Sequence, residues 1–213
     1  MVELVIFDAD GVLFDSTLAN TAYYNAIFAA IGEPPMSPEE EKGGVFLSAP
    51  QVFEMRAGAD LVRIERMREV ARTLDATPFF NMMVPALELR PFLIELKKKY
   101  RLGLATNRSA TVPSLIDHLG LAGVFDAIAS ARDKVRPKPA PDIVKLCVER
   151  AGARPQHAVY VGDSATDQIA AEGAGTHYIG LGDRSGRARG HSHRVDTLAE
   201  LPSKLEEIFQ AAR

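Results

Sequence analysis

The sequence predicts an α/β fold: a parallel-sheet core with helices on both faces, carrying a small α-helical cap inserted after the first strand. Three observations predict it. Short apolar runs without clean polar alternation recur along the chain, as strands covered on both faces require. Helical patterns separate the later runs, and strand–helix–strand order implies parallel strands with right-handed crossovers. Between Ser16 and about Pro85 the pattern is helical, with no convincing strand.

The expected strands are 3–7, 102–106, 127–130, 158–162 and 176–180. Three helices follow the later strands. Residues 111–119 have Pro113 near the start and Gly120 just past the end, the usual asymmetry of helix termini. Residues 141–151 end at Gly152, and residues 164–173 begin with Ser164 as a candidate N-cap. The cap opens with Ser16 as a candidate N-cap. Leu18, Ala22, Tyr23, Ala26, Ile27, Ala30 and Ile31 share one face of its first helix, and Gly32 stops it. The stretch "GEPPMSPEEEKGG" reads as a turn-rich connector, and helices are expected at 49–57 and 60–75. The core is therefore 1–15 with 86–213, and the cap 16–85.

The chain has 213 residues, enough for one large domain or a domain with an insert. Its formal net charge of -3 offers no basic field for nucleic acid. Cys147 is the single cysteine and sits in an apolar-periodic segment, so it reads as a small core residue. No basic leader or cleavage pattern precedes the first strand, and no apolar stretch reaches the roughly 20 residues of a membrane helix. A cytoplasmic location without membrane contact is expected, as a monomer or homodimer; nothing resembles a coiled-coil seam.

Four clusters carry chemistry. In "VIFDADG" a strand runs into Asp8 and Asp10, and Gly11 permits the bend that aims both at one place. Such a pair needs a cation, or one protonated member. A carboxylate can attack phosphorus, and a protonated neighbour can supply the leaving oxygen's proton. The plain alternative is a polar turn after a strand. A calcium loop is excluded, because its third acidic position and distal glutamate are missing. In "LGLATNRS" a strand ends at Thr106 and Asn107 ahead of a helix, where a hydroxyl and backbone N–H groups can hold phosphate or merely cap. In "RPKPAPD" two prolines stiffen the loop around Lys138, whose ammonium could offset nearby carboxylates or sit in solvent. In "VYVGDSATD" Asp163 and Asp167 are four apart on one helical face. They suit magnesium, or only the helix dipole. All four clusters fall at the carboxyl ends of expected parallel strands, where such sheets bind ligands.

These motifs, in this order, resemble the haloacid dehalogenase superfamily, closest to its phosphoglycolate phosphatase-like and β-phosphoglucomutase-like branch. The resemblance spans nearly the whole chain and implies a Rossmann-like core with a helical cap after the first motif. It implies Asp8 as nucleophile and magnesium ligand. Asp10 would be the general acid/base, giving its backbone carbonyl to the metal. Thr106 and Asn107 would bind the transferring phosphoryl group, and Lys138 would steady its charge. Asp163 would ligate magnesium, and Asp167 would support the metal site. An acid at position 10 argues for phosphate esters, because dehalogenase members and ATP-driven pumps lack one there. The chain departs from the branch in a short cap and in "TPFFNMMVPALELRPF", which lacks the usual glycine-bearing "PGV" turn.

The expected function is a magnesium-dependent phosphatase acting on a small phosphorylated metabolite through an aspartyl-phosphate on Asp8. The alternatives are a phosphomutase on sugar phosphates and a non-catalytic phospho-ligand-binding module. On the cap, Arg56, Arg63, Arg66, Arg68 and Arg72 alternate with Glu54, Glu65 and Glu69. Spacings such as Glu65–Arg68 and Glu69–Arg72 read as a solvated, paired face. Asp15 stands either to close the cap or to cap its first helix. His191 and His193, in the basic loop 183–194, lack further metal ligands nearby. "GLGDRSG" has the wrong glycine spacing for a dinucleotide loop.

Overall fold

The computed structural model describes residues 3–44, 47–182 and 193–210. Its strands are β1 (Leu4–Phe7), β2 (Phe14–Asp15), β3 (Val84–Pro85), β4 (Arg101–Thr106), β5 (Ala127–Ser130), β6 (Ala158–Gly162), β7 (His177–Leu181) and β8 (Arg194–Val195). Six of them form one sheet in the order β5-β4-β1-β6-β7-β8, with every pairing parallel. The helices are α1 (Thr17–Ala30), α2 (Pro38–Gly44), α3 (Ala49–Ala57), α4 (Leu61–Thr73), α5 (Thr77–Phe80), α6 (Leu89–Lys97), α7 (Val112–His118), α8 (Asp142–Arg150), α9 (Ala165–Ala174) and α10 (Leu201–Gln210).

Strand β1 shows why its sequence has no polar face. All four residues are buried, and alternate side chains serve opposite layers. Val5 and Phe7 pack with Leu93 of α6, Leu115 of α7 and Leu205 of α10. Leu4 and Ile6 pack with Val144 and Cys147 of α8 and Ala171 of α9. A central parallel strand must be apolar on both faces for this reason. Cys147 is fully buried, and burial pushes its thiol up to about 12, so it is an inert core residue.

Helices α1 to α5 lie between β2 and β3, which pair antiparallel as a two-stranded ribbon. Of these, α1, α3 and α4 enclose an apolar cluster of their own, built on Tyr24, Ile27, Phe28, Val52, Phe53, Ile64 and Met67, while Phe80 of α5 packs with the sheet core. The α1 face differs from the expected one. Leu18 is 68% exposed, and the buried residues are Ala19, Tyr24, Ile27 and Phe28. The buried stripe is turned because Ala19 packs with the sheet core, while Tyr24 and Phe28 pack within the cluster of α3 and α4.

The connector "GEPPMSPEEEKGG" is not all turn, because it contains α2. The cause is a capping box: Glu40 N donates to Ser37 Oγ (3.2 Å), and Ser37 N donates back to Glu40 Oε2 (2.8 Å). Pro38 fills the first helical position. Ser16 stands at the N-cap position of α1 as expected, but its side chain makes no capping bond. Its hydroxyl donates to Asp10 instead, and Asp15 Oδ1 takes the Thr17 N–H at 2.9 Å. The side chain of Asp15 thus does the capping. Ser164 caps α9 as expected, in a box closed by Asp167.

Residues 183–192, which include His191 and most of the basic loop, lie outside the described residues. Among the described residues no helix is long and apolar enough to cross a membrane.

Candidate active site

Parallel strands end together, so the loops after β1, β4 and β6 meet at one edge of the sheet. β1 delivers Asp8, β4 delivers Thr106, and β6 delivers Asp163. Carboxylate oxygens of Asp8, Asp163 and Asp167 lie within 4.8 Å of one another, and all three residues are buried. Two glycines make that approach feasible. Gly11 has φ +77°, and a Cβ there would meet Asp163 Oδ2 at 2.0 Å. A Cβ on Gly162 would lie 2.4 Å from Asp167 Cβ.

Lys138 is the counter-charge. Its Nζ lies 2.6 Å from Asp167 Oδ1 and 2.8 Å from Asp8 Oδ1, with the side chain 3% exposed. Tyr160 Oη is 2.8 Å away and donates to the Ala105 carbonyl. Burial alone would lower the ammonium's pKa, but Asp167 and Asp8 outweigh it and hold it high. Asn107 fixes the lysine's loop. Its Oδ1 accepts from Lys138 N (2.7 Å) and its Nδ2 donates to Lys138 O (3.0 Å). The Asn107 side chain therefore ties two loops together, while Thr106 Oγ1 accepts from Arg108 N at 3.2 Å.

Asp8 is left in an unusual state. Burial, then the charges of Asp167 and Asp10, push its carboxyl up to about 8 against the pull of Lys138. Its Oδ1 is buried and has no well-aligned hydrogen bond; the Lys138 contact is an ion pair of poor angle. Asp167 is well satisfied, accepting from Lys138 and from both the hydroxyl and the backbone N–H of Ser164. Hard carboxylate oxygens, one of them without a hydrogen bond, in a cluster with more negative than positive charge suit a hard divalent cation. Asp8, Asp163 and Asp167 each bring a carboxylate oxygen within reach of such an ion.

Asp10 stands apart from this trio. Its carboxylate takes a two-pronged contact from Arg108, with Nε to Oδ2 at 2.7 Å and Nη2 to Oδ1 at 2.6 Å. Ser16, just before α1, and Asn20 of α1 donate to Oδ1 as well. Burial favours the neutral acid, but the Arg108 charge and hydrogen bonds win and hold Asp10 below the usual carboxylate range. Arg108 is the residue that sequence reasoning missed. The signal was its place directly after Thr106 and Asn107, at a strand end where any long cation turns into the site. Above the carboxylates a cavity of about 350 Å³ runs up to the cap, walled by Tyr24, Phe53, Phe80 and Met83.

The profile of the haloacid dehalogenase-like hydrolases matches residues 5–181. A phosphoglycolate phosphatase of Pseudomonas putida is 30% identical over 217 residues, covering 98% of this chain and 77% of that protein. The pyrophosphatase PpaX of Bacillus velezensis is 28% identical over 182 residues, covering 84% of this chain and 83% of its own. Among solved structures, CbbY of Rhodobacter sphaeroides in complex with phosphate superposes with a TM-score of 0.80 at 25% identity, covering 94% of this chain and 96% of that one. With three buried carboxylates gathered at the strand ends and a family match across most of its length, this chain belongs to the haloacid dehalogenase-like hydrolases.

Proposed function

We propose that the protein is a magnesium-dependent phosphatase that hydrolyses small phosphate monoesters through an aspartyl-phosphate on Asp8. The observation that carries this reading is the convergence of Asp8, Asp163 and Asp167, with Lys138 paired to Asp8 and Asp167. The phosphatase relatives and the phosphate complex of CbbY agree with it. Residues 1–15 and 86–213 form the core in this reading, and 16–85 form the cap that selects the substrate.

Asp8 attacks phosphorus, forming an O–P bond as the ester O–P bond breaks, and the leaving oxygen takes a proton from Asp10. Asp10 then removes a proton from water, which attacks phosphorus and frees Asp8. The ionised state that Arg108 imposes on Asp10 before substrate binds is the one needed for this second step; the first requires that Asp10 take up a proton as the negatively charged ester arrives beside it. Thr106 and the backbone N–H groups after it hold the phosphoryl oxygens, and Lys138 offsets their charge. Magnesium, held by Asp8, Asp163 and the Asp10 carbonyl with Asp167 in support, would neutralise charge between nucleophile and phosphoryl group. Asn107 acts mainly by holding Lys138 in place.

Phosphate release from 4-nitrophenyl phosphate and a panel of phosphorylated metabolites tests the proposal. Magnesium-dependent turnover that disappears in Asp8→Asn supports it. Full activity in excess chelator or in that variant overturns it.

A further inference from the structure

We infer that the cap selects phosphate monoesters whose leaving group is apolar and ring-sized, as in the phosphates of arylalkyl alcohols. The inference rests on the phosphatase reading and names the class of ester. Four rings that border the cavity form one continuous row. Phe79 and Tyr23 meet edge-on, with centroids 5.6 Å apart and planes at 82°. Tyr23 meets Tyr24 at 5.6 Å and 64°, and Tyr24 meets Phe53 at 6.2 Å and 88°. Each ring is held by its neighbour, so the row is set before a ligand arrives. Met36 and Met83 border the same space with adaptable apolar side chains. The two hydroxyls of the row carry no charge, since burial raises the pKa of both Tyr23 and Tyr24.

Charge lies elsewhere. On the core side Lys138 pairs with Asp8 and Asp167, and Arg108 pairs with Asp10. On the cap side Glu41, Arg68 and Arg72 border the cavity but are exposed, and both arginines turn to Glu65. Asp8 follows the end of β1, and the attacking and leaving oxygens of phosphoryl transfer stand roughly in line. The leaving group therefore points from the sheet edge toward the cap, where the rings are. A charged group would give up its water there against neutral rings. An apolar group would cover wall that water otherwise wets. The size agrees. An apolar cavity of about 150 Å³ admits benzene. The cavity here, of about 350 Å³, has room for a ring beside a phosphoryl group.

The test uses pairs that differ by one ring. 2-Phenylethyl phosphate and ethyl phosphate release similar primary alkoxides, so their ratio reports the apolar contact rather than leaving-group chemistry. With magnesium, wild-type kcat/KM should favour the phenylethyl ester by at least about tenfold, the range for covering a ring of that size. It should place 2-phosphoglycolate below the phenylethyl ester as well. In Phe79→Ser, which opens the end of the row, the preference should fall by about threefold or more, the range of one ring pair. Binding gives a second readout that needs neither turnover nor a variant. By calorimetry with magnesium, 3-phenylpropylphosphonate should bind the wild-type protein at least about tenfold more tightly than propylphosphonate.

Equal turnover, or equal binding, of the ring-bearing and ring-free members of a pair overturns the inference. A wild-type protein that prefers 2-phosphoglycolate to the phenylethyl ester overturns it too. So does a preference kept in full by Phe79→Ser whose melting curve shows it folded, because another wall would then read the ring. Silence on every ester alongside the expected phosphonate preference sinks the phosphatase reading and leaves the apolar subsite standing.

Discussion

Lys138 and Asp167 form a buried ion pair, 2.6 Å from Nζ to Oδ1, with side chains 3% and 1% exposed. The same ammonium reaches Asp8, so one lysine balances two carboxylates taken out of water. Removing one member of a buried pair costs more than the pair itself contributes, because the remaining charge is stranded. Lys138→Met should therefore lower the stability of the metal-free protein by about 3–5 kcal/mol. Magnesium should recover part of the loss, since a divalent ion offsets the same carboxylates. Thermal melts with and without magnesium check both halves, and an unchanged metal-free melt would refute the pairing.

Gly11→Ala tests the fit between the first loop and Asp163. The backbone there has φ +77°, and the added Cβ would meet Asp163 Oδ2 at 2.0 Å. One of the two must move, and either movement displaces a carboxylate from the cluster. Magnesium affinity should fall by roughly 10- to 100-fold, as when the supports of a metal ligand are disturbed. Calorimetric titration measures it. An unaltered dissociation constant would mean that Asp163 is not a ligand.

The state of Asp8 sets a pH dependence. Its carboxyl is raised from an ordinary 3.8 to about 8 in the folded, metal-free protein. The folded chain therefore holds a proton that the unfolded chain has released. This contribution to stability is fully present below about pH 4 and is lost as pH rises toward 8. Magnesium must displace that proton, so its apparent affinity should rise roughly tenfold per unit below pH 8 and then level off. Titrations at pH 6, 7 and 8 in buffers of different ionisation enthalpy would show the released proton. A flat affinity across that range would exclude it.

Local rules made much of this legible. Strands β5 and β6 fall on the expected residues, because a fully apolar run between turn signals has few other uses. Asp8, Lys138, Asp163 and Asp167 meet because parallel strands carry their ends to one edge. What escaped depends on tertiary partners. Ser16 reads as a helix cap until Asp10 is seen beside it, and the buried acceptor takes the hydroxyl. Asn107 reads as a phosphate ligand, and its side-chain amide in addition matches the Lys138 backbone across two loops, a contact that sequence distance conceals. Arg108 looks like one more basic residue, and only the fold places it on Asp10. Helix α2 is a different case. Its Ser37–Glu40 box was readable, and the surrounding prolines and glycines obscured it.

The cap has its own staple, and it also departs from the expected exposed face of arginines. Glu65 does pair with Arg68, at 3.4 Å, but Arg72 turns to Glu65 rather than to Glu69. Arg56 is largely shielded from solvent. Its side chain is 9% exposed, pairs with Glu33 at 3.0 Å and Glu40 at 2.6 Å, and lies 4.6 Å from the Phe28 ring centroid. It thereby ties α3 to the end of α1 and to α2. Arg56→Ala would strip a buried cation from two carboxylates and open space against Phe28. The expected cost is about 3 kcal/mol, nearer to that of a buried pair than of a surface one. The loss should be local, since Phe28 and its neighbours form a cluster separate from the sheet core. Hydrogen exchange should quicken across α1 to α4 and stay slow in β1, β4 and β6. Uniform quickening throughout the chain would show instead that cap and core unfold as one unit.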